Sequence, residues 1–131
     1  MYSLPSLAMA GLLAAGTVSA QTRPVECAAG LKMFVSRGTN ETLGSGDDLG
    51  LGVTGALVKE IAKQIDGSDY EGIPYPASQD DPTYFYSVAN GTRLVREAMS
   101  NYATACPDSK MAWFGYSQVH WCCPLGQNVP Y

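Results

Sequence analysis

The sequence predicts an α/β domain, a three-layer sandwich in which helices cover both faces of a parallel sheet. Three observations carry this. Short apolar runs alternate with segments of helical periodicity, their order is strand, helix, strand, helix, strand, and each run stops at glycine, proline or a polar loop. Alternation of that kind favours parallel strands joined by crossover helices. Ligand sites in such sheets lie at the carboxyl ends of the strands, so the loops after the apolar runs are where chemistry is to be sought.

Residues 1–20, MYSLPSLAMAGLLAAGTVSA, hold no charged side chain, carry an apolar run from Leu7 to Ala15, and end in the small residues Val18-Ser19-Ala20. This is the pattern of a secretory signal peptide cleaved after Ala20; the run falls far short of the roughly 20 residues that span a bilayer. The protein is therefore expected to be secreted and extracellular, where cysteines oxidise. Two sequons, at Asn40 and Asn90, are glycosylation candidates in that compartment.

LKMFVSRG (31–38) is an apolar, partly β-branched run ending in glycine, as a buried strand does. The loop TNETLGSGDDLG follows. Between Leu51 and Ile65, Val53, Leu57, Val58, Ile61, Ala62 and Ile65 recur at helical spacing with Lys59, Glu60, Lys63 and Gln64 outside, and Gly67 stops the segment. YEGIPYPAS (70–78) is extended, but Pro74 and Pro76 each remove a backbone donor, which suits an edge or partly paired strand. After QDDPTYFYS a second helix places Val88, Gly91, Val95, Ala98, Tyr102 and Ala105 on one face and ends before Pro107. KMAWFG (110–115) is the third apolar run.

The formal net charge is −4 and the pI near 4.7, with few and scattered basic residues. That excludes a phosphate-backbone partner, which requires clustered Lys and Arg. No membrane partner, metal or cofactor is expected.

Gly115-Tyr116-Ser117-Gln118-Val119 has the form of a nucleophile elbow, a strand-to-helix turn in which glycines two positions either side of a serine let the backbone fold back. The first glycine is present and the second is valine. Taken alone, the stretch also fits a solvent-facing serine in a strand-end loop. Its company decides more. Cys27, RGTNE (37–41), YPAS, the Tyr84-to-Val88 segment with its helix, Cys106-Pro107 and GYSQ occur in that order. With these the chain resembles the secreted cutinases and related acetylxylan esterases of carbohydrate esterase family five, over about residues 25–118.

That resemblance implies a small single-domain α/β-hydrolase, monomeric and secreted, acting on esters of the plant cell wall or cuticle through an acyl-serine. It implies Ser117 as nucleophile. The backbone N–H of Gln118 and the backbone and hydroxyl of Thr39 become oxyanion donors, a type of interaction worth about 3 to 4 kcal/mol of barrier. It also implies a Cys27–Cys106 disulfide, closing a loop worth about 4 to 5 kcal/mol in the chain-entropy account.

The chain departs from the family after GYSQ. A serine esterase of this fold places its acid and then its histidine after the serine. The tail VHWCCPLGQNVPY holds no Asp or Glu, and its sole histidine, His120, stands three residues beyond Ser117, poorly placed to reach Oγ. Val119 crowds the turn, Pro124 and Gly126 oppose a helix, and Cys122-Cys123 have no family counterpart. The expected organisation is a signal peptide at 1–20, an incomplete hydrolase domain at 21–118 lacking its C-terminal strands, and a divergent tail at 119–131, with KMAWFG left as an apolar sheet edge. Activity is expected to be absent or impaired. RGTNE leans toward cutinases; an acetylxylan esterase is the alternative, and a non-catalytic secreted binding protein on a partial hydrolase scaffold is another.

Overall fold

Three strands, β1 (Leu31–Ser36), β2 (Asp69–Gly72) and β3 (Lys110–Gly115), pair in parallel in the order β2-β1-β3. They belong to a computed structural model that describes residues 25–80 and 82–118. Helices α1 (Gly55–Gln64) and α2 (Thr83–Ala105) supply the crossovers. The segments read as signal peptide and divergent tail lie outside the described residues, as do His120, Cys122 and Cys123.

Successive side chains of a strand point to opposite faces, and β1 uses this to build two cores. Met33 and Val35 face Leu51 of the preceding loop and Val58 of α1. Phe34 faces Ile73, Tyr75, Val95 and Tyr102, beneath α2. The sheet is thus covered on both faces, as its alternating sequence predicts. Lys32 is the one charged side chain in this strand, 7% exposed, with Nζ 2.5 Å from Asp69 and 3.4 Å from Glu71 on β2. Burial opposes its charge, but the two carboxylates outweigh burial and hold its pKa above the ordinary lysine value.

The first helix differs from its periodicity. Residues Gly52–Thr54 form a 3₁₀ turn and α1 starts only at Gly55. Gly52 sits at φ +54, left-handed, which an α-helix does not accept, and a Cβ there would lie 2.4 Å from Glu41 Oε2. Val53, which precedes the helix, Leu57 and the C-cap Ile65 are exposed rather than on the buried face, which narrows to Val58 with Ile61 and Ala62 partly covered. The second helix buries Ser87, Gly91, Val95 and Tyr102. Ala105 is exposed, because the helix ends there and Cys106 turns inward instead. Among the described residues β2 is an edge strand; it ends at Gly72, Ile73 N–H still donates to Val35 O of β1 at 2.7 Å, and from Pro74 the chain leaves the sheet.

Cys27 and Cys106 are disulfide-bonded, 79 residues apart in sequence with Cα atoms 5.5 Å apart. No helix among the described residues is long and apolar enough to cross a membrane.

Candidate active site

β3 ends at Gly115, and the chain then turns sharply: Tyr116 N–H reaches Ser36 O of β1 at 3.4 Å, and Ser117 adopts φ +57 with its side chain exposed. A non-glycine residue held in the left-handed region costs of order 1 kcal/mol or more and marks a place where the surrounding structure dictates conformation. Gln118 does the anchoring. It is 2% exposed; its Nε2 donates to Ser78 O at 2.8 Å, and its Oε1 accepts from Ser87 Oγ at 3.3 Å. Ser87 Oγ in turn accepts from Ser78 N–H at 3.0 Å. The serine turn is thereby fastened to the YPAS segment and to the first turns of α2.

The loop after β1 forms the second half of the site. Glu41 N–H donates to Gly38 O at 3.2 Å, closing a four-residue turn, and Asn40 takes the positive φ of 59° that such a turn places at its third residue. Asn40 N–H donates to Ala77 O at 2.9 Å, and Gly38 N–H donates to Glu41 Oε2. Thr39 N–H alone within the turn has no partner among the described residues. Gly38 lies against the Tyr116 ring, where a Cβ would come within 2.7 Å of Cδ1. The two loops therefore touch at Gly38 and Tyr116, and Thr39 and Ser117 are each the next residue along.

Arg37 supports this turn from below. It is 3% exposed; Nε donates to Glu41 O at 3.0 Å, and Nη2 donates to Tyr75 O and, at 3.2 Å, to Pro76 O. Tyr75 returns a bond from its hydroxyl to Arg37 O, and the guanidinium carbon lies 5.2 Å from the Tyr75 ring centroid. Nη1 is buried without a hydrogen-bond partner among the described residues. Burial lowers the Arg37 pKa below the ordinary arginine value, against the opposing pull of Tyr75 and Glu41, and leaves it charged.

The structure thus brings Thr39, Ser117 and Gln118 to one end of the sheet. Asn40 sits exposed at the rim with Nδ2 bonded to Gln79 Oε1, whereas Asn90 lies within α2 and is half-buried. Arg37, Glu41, Tyr75, Ser78 and Ser87 are site-supporting residues that sequence reasoning did not single out. The one signal available was that RGTNE and YPAS stand as compact blocks at the end of extended runs. Among the described residues no three His, Cys, Asp or Glu side chains cluster as metal ligands would.

Residues 27–120 match the family model for cutinase. The chain belongs to the cutinase family. Similar curated proteins are acetylxylan esterase from Hypocrea jecorina and acetylxylan esterase 2 from Talaromyces purpureogenus, each 34% identical over 74 residues, or 53% of this chain. The matches span 24% and 32% of those proteins' own lengths. Among solved structures, an iodinated complex of acetyl xylan esterase superposes with a TM-score of 0.63 at 28% identity, covering 74% of this chain and 46% of that one. A second acetylxylan esterase structure gives 0.59 at 31% identity, with 71% and 44% covered. This cutinase-family chain shares their parallel-sheet α/β fold and spans less than half of each.

Proposed function

We propose that the chain is a secreted serine esterase of cutinase type, in which Ser117 attacks a carboxylic ester of a plant polymer. The observation that carries this reading is the pairing of an exposed serine on a strained turn with a neighbouring turn whose Thr39 N–H has no partner among the described residues. Ser117 Oγ would add to the ester carbonyl carbon while its proton passes to a base. Negative charge then develops on the carbonyl oxygen, where the N–H groups of Thr39 and Gln118 and the Thr39 hydroxyl serve as oxyanion donors. Expulsion of the alcohol leaves an acyl-serine, which water hydrolyses.

The base is the step these residues supply least well. Beyond Ser117 the 131 residues hold one histidine, His120, and no Asp or Glu, so turnover by them alone is impaired and rests on the oxyanion donors and substrate binding. Secretion through residues 1–20, a hydrolase domain over 21–118, a distinct tail over 119–131 and a monomeric state belong to the same proposal; of these, secretion is supported by the Cys27–Cys106 disulfide, a bond of oxidising compartments. No cofactor is required by the chemistry.

A fluorophosphonate tests the nucleophile. Ser117 is expected to take the label in the wild-type protein and Ser117→Ala to take none at that peptide; equal labelling of both proteins, or of neither, overturns the assignment. The names of the relatives favour a second reading, acetyl esters of xylan as substrate. Acetate release from acetylated xylan, against fatty-acid release from cutin, separates the two.

A further inference from the structure

We propose that Glu41 is the positioning residue of the oxyanion turn, its carboxylate holding the Gly38–Glu41 turn in the shape that keeps Thr39 N–H free. This rests on the esterase reading for its catalytic consequence.

The geometry assigns the role through the partners of one side chain. Glu41 Oε2 accepts from Gly38 N–H, at the start of the turn, and Oε1 accepts from Val53 N–H at 2.8 Å, twelve residues on. The same residue's N–H closes the turn onto Gly38 O, and its carbonyl accepts from Arg37 Nε. Four bonds from one residue therefore fix the turn at both ends and tie it to the loop before α1. Only a side chain with two diverging acceptors can satisfy both N–H groups, and an ionised acceptor makes each bond stronger than a neutral one. Gly52 lets the loop come this close, since any Cβ there would collide with Oε2 and with Arg37 Cβ at 2.6 Å. Every other backbone donor of the turn is consumed, and Thr39 N–H is what remains.

An oxyanion donor is sensitive to placement. A shift of about 1 Å at a reacting group costs on the order of 10²-fold in rate, and removing a donor outright costs about 10²- to 10³-fold. Oxyanion stabilisation acts on the barrier itself, so the rate reads that placement.

The test compares wild type with Glu41→Gln, which preserves volume and one acceptor, and with the harsher Glu41→Ala. Amide hydrogen exchange, independent of activity, is expected to quicken at least about tenfold at Gly38 and Val53 in Glu41→Gln while α2 amides such as Tyr102 stay unchanged. Hydrolysis of a short-chain nitrophenyl ester, normalised to phosphonate-titrated sites, is expected to lose about 10- to 100-fold in kcat with KM within twofold, and more in Glu41→Ala. Unchanged exchange at Gly38 and Val53 overturns the proposal. So does faster exchange throughout α2, which would make Glu41 a general stabiliser, and so does an unaltered kcat in a wild-type background that turns over. If wild type neither labels nor hydrolyses, the esterase reading falls and exchange alone decides whether Glu41 holds the turn.

Discussion

At Ser117 the nucleophile role proposed for the side chain and the stability of the turn oppose each other. A serine at φ +57 carries about 1 to 2 kcal/mol of left-handed strain that glycine would not. Glycine in turn adds unfolded-state entropy worth about 0.4 to 1 kcal/mol. Ser117→Gly is accordingly expected to stabilise the fold by about 0.5 to 1 kcal/mol, as a raised urea midpoint at constant m-value, while losing all phosphonate labelling. An equal or lower midpoint would show that the turn is not strained by its side chain. The turn at Ser117 was legible in the sequence because a glycine two residues before a serine at the end of an apolar run is a local signal, whereas the roles of Ser117 and Gln118 came only with the family resemblance. Glu41 and Arg37 were not, because their roles are set by Val53, Tyr75 and Pro76, up to 39 residues away, and no local pattern marks a partner at that distance.

At the scale of elements, β1 and β3 were readable because each is a continuous apolar run, β1 buried and β3 partly covered, and both begin where their runs begin. The start of α1 was not readable, since periodicity cannot see that Gly52 is taken into a left-handed position by the approach of Glu41. Gly91 of α2 shows the reverse case, a position whose face was evident and whose reason was not. A Cβ there would lie 2.9 Å from Tyr75 Cδ2 and 3.2 Å from two further ring atoms. Gly91→Ala gains about 1 kcal/mol of helix propensity but forces the Tyr75 ring aside, at about 1 to 3 kcal/mol of overpacking. The net expectation is destabilisation of up to about 2 kcal/mol in urea unfolding. Tyr75 is also the residue that Arg37 grips, so displacing its ring is expected to reach the Gly38–Glu41 turn and, under the proposed esterase function, to lower kcat. A stabilised Gly91→Ala protein would mean that α2 moves away from the sheet to make room.

For the whole molecule, one sheet of three described strands divides its apolar side chains between two faces, so neither core is large. The cluster under α1 has four buried members and the one under α2 has seven. Small domains of this kind depend on a covalent staple. The Cys27–Cys106 bond closes a loop of 79 residues at the N-terminal end of the sheet, where Ala28 N–H also donates to the Tyr102 hydroxyl at 2.8 Å and Ser109 Oγ to Ala28 O at 3.4 Å. For a loop that long, the chain-entropy account gives about 4.5 kcal/mol. A domain has about 5 to 15 kcal/mol in total, so the bond carries a third or more of it. Reduction is expected to lower Tm by about 15 °C or more, given about 4 to 8 °C per kcal/mol for a domain near this size. A Cys27→Ser/Cys106→Ser double variant should start at that lower Tm and respond no further to reductant. The two hydrogen bonds beside the disulfide cannot substitute for it, because each contributes about 1 kcal/mol only while the segment they hold is already in place. A reduced protein melting within about 3 °C of the oxidised one would instead mean that the unfolded chain keeps these ends together unaided.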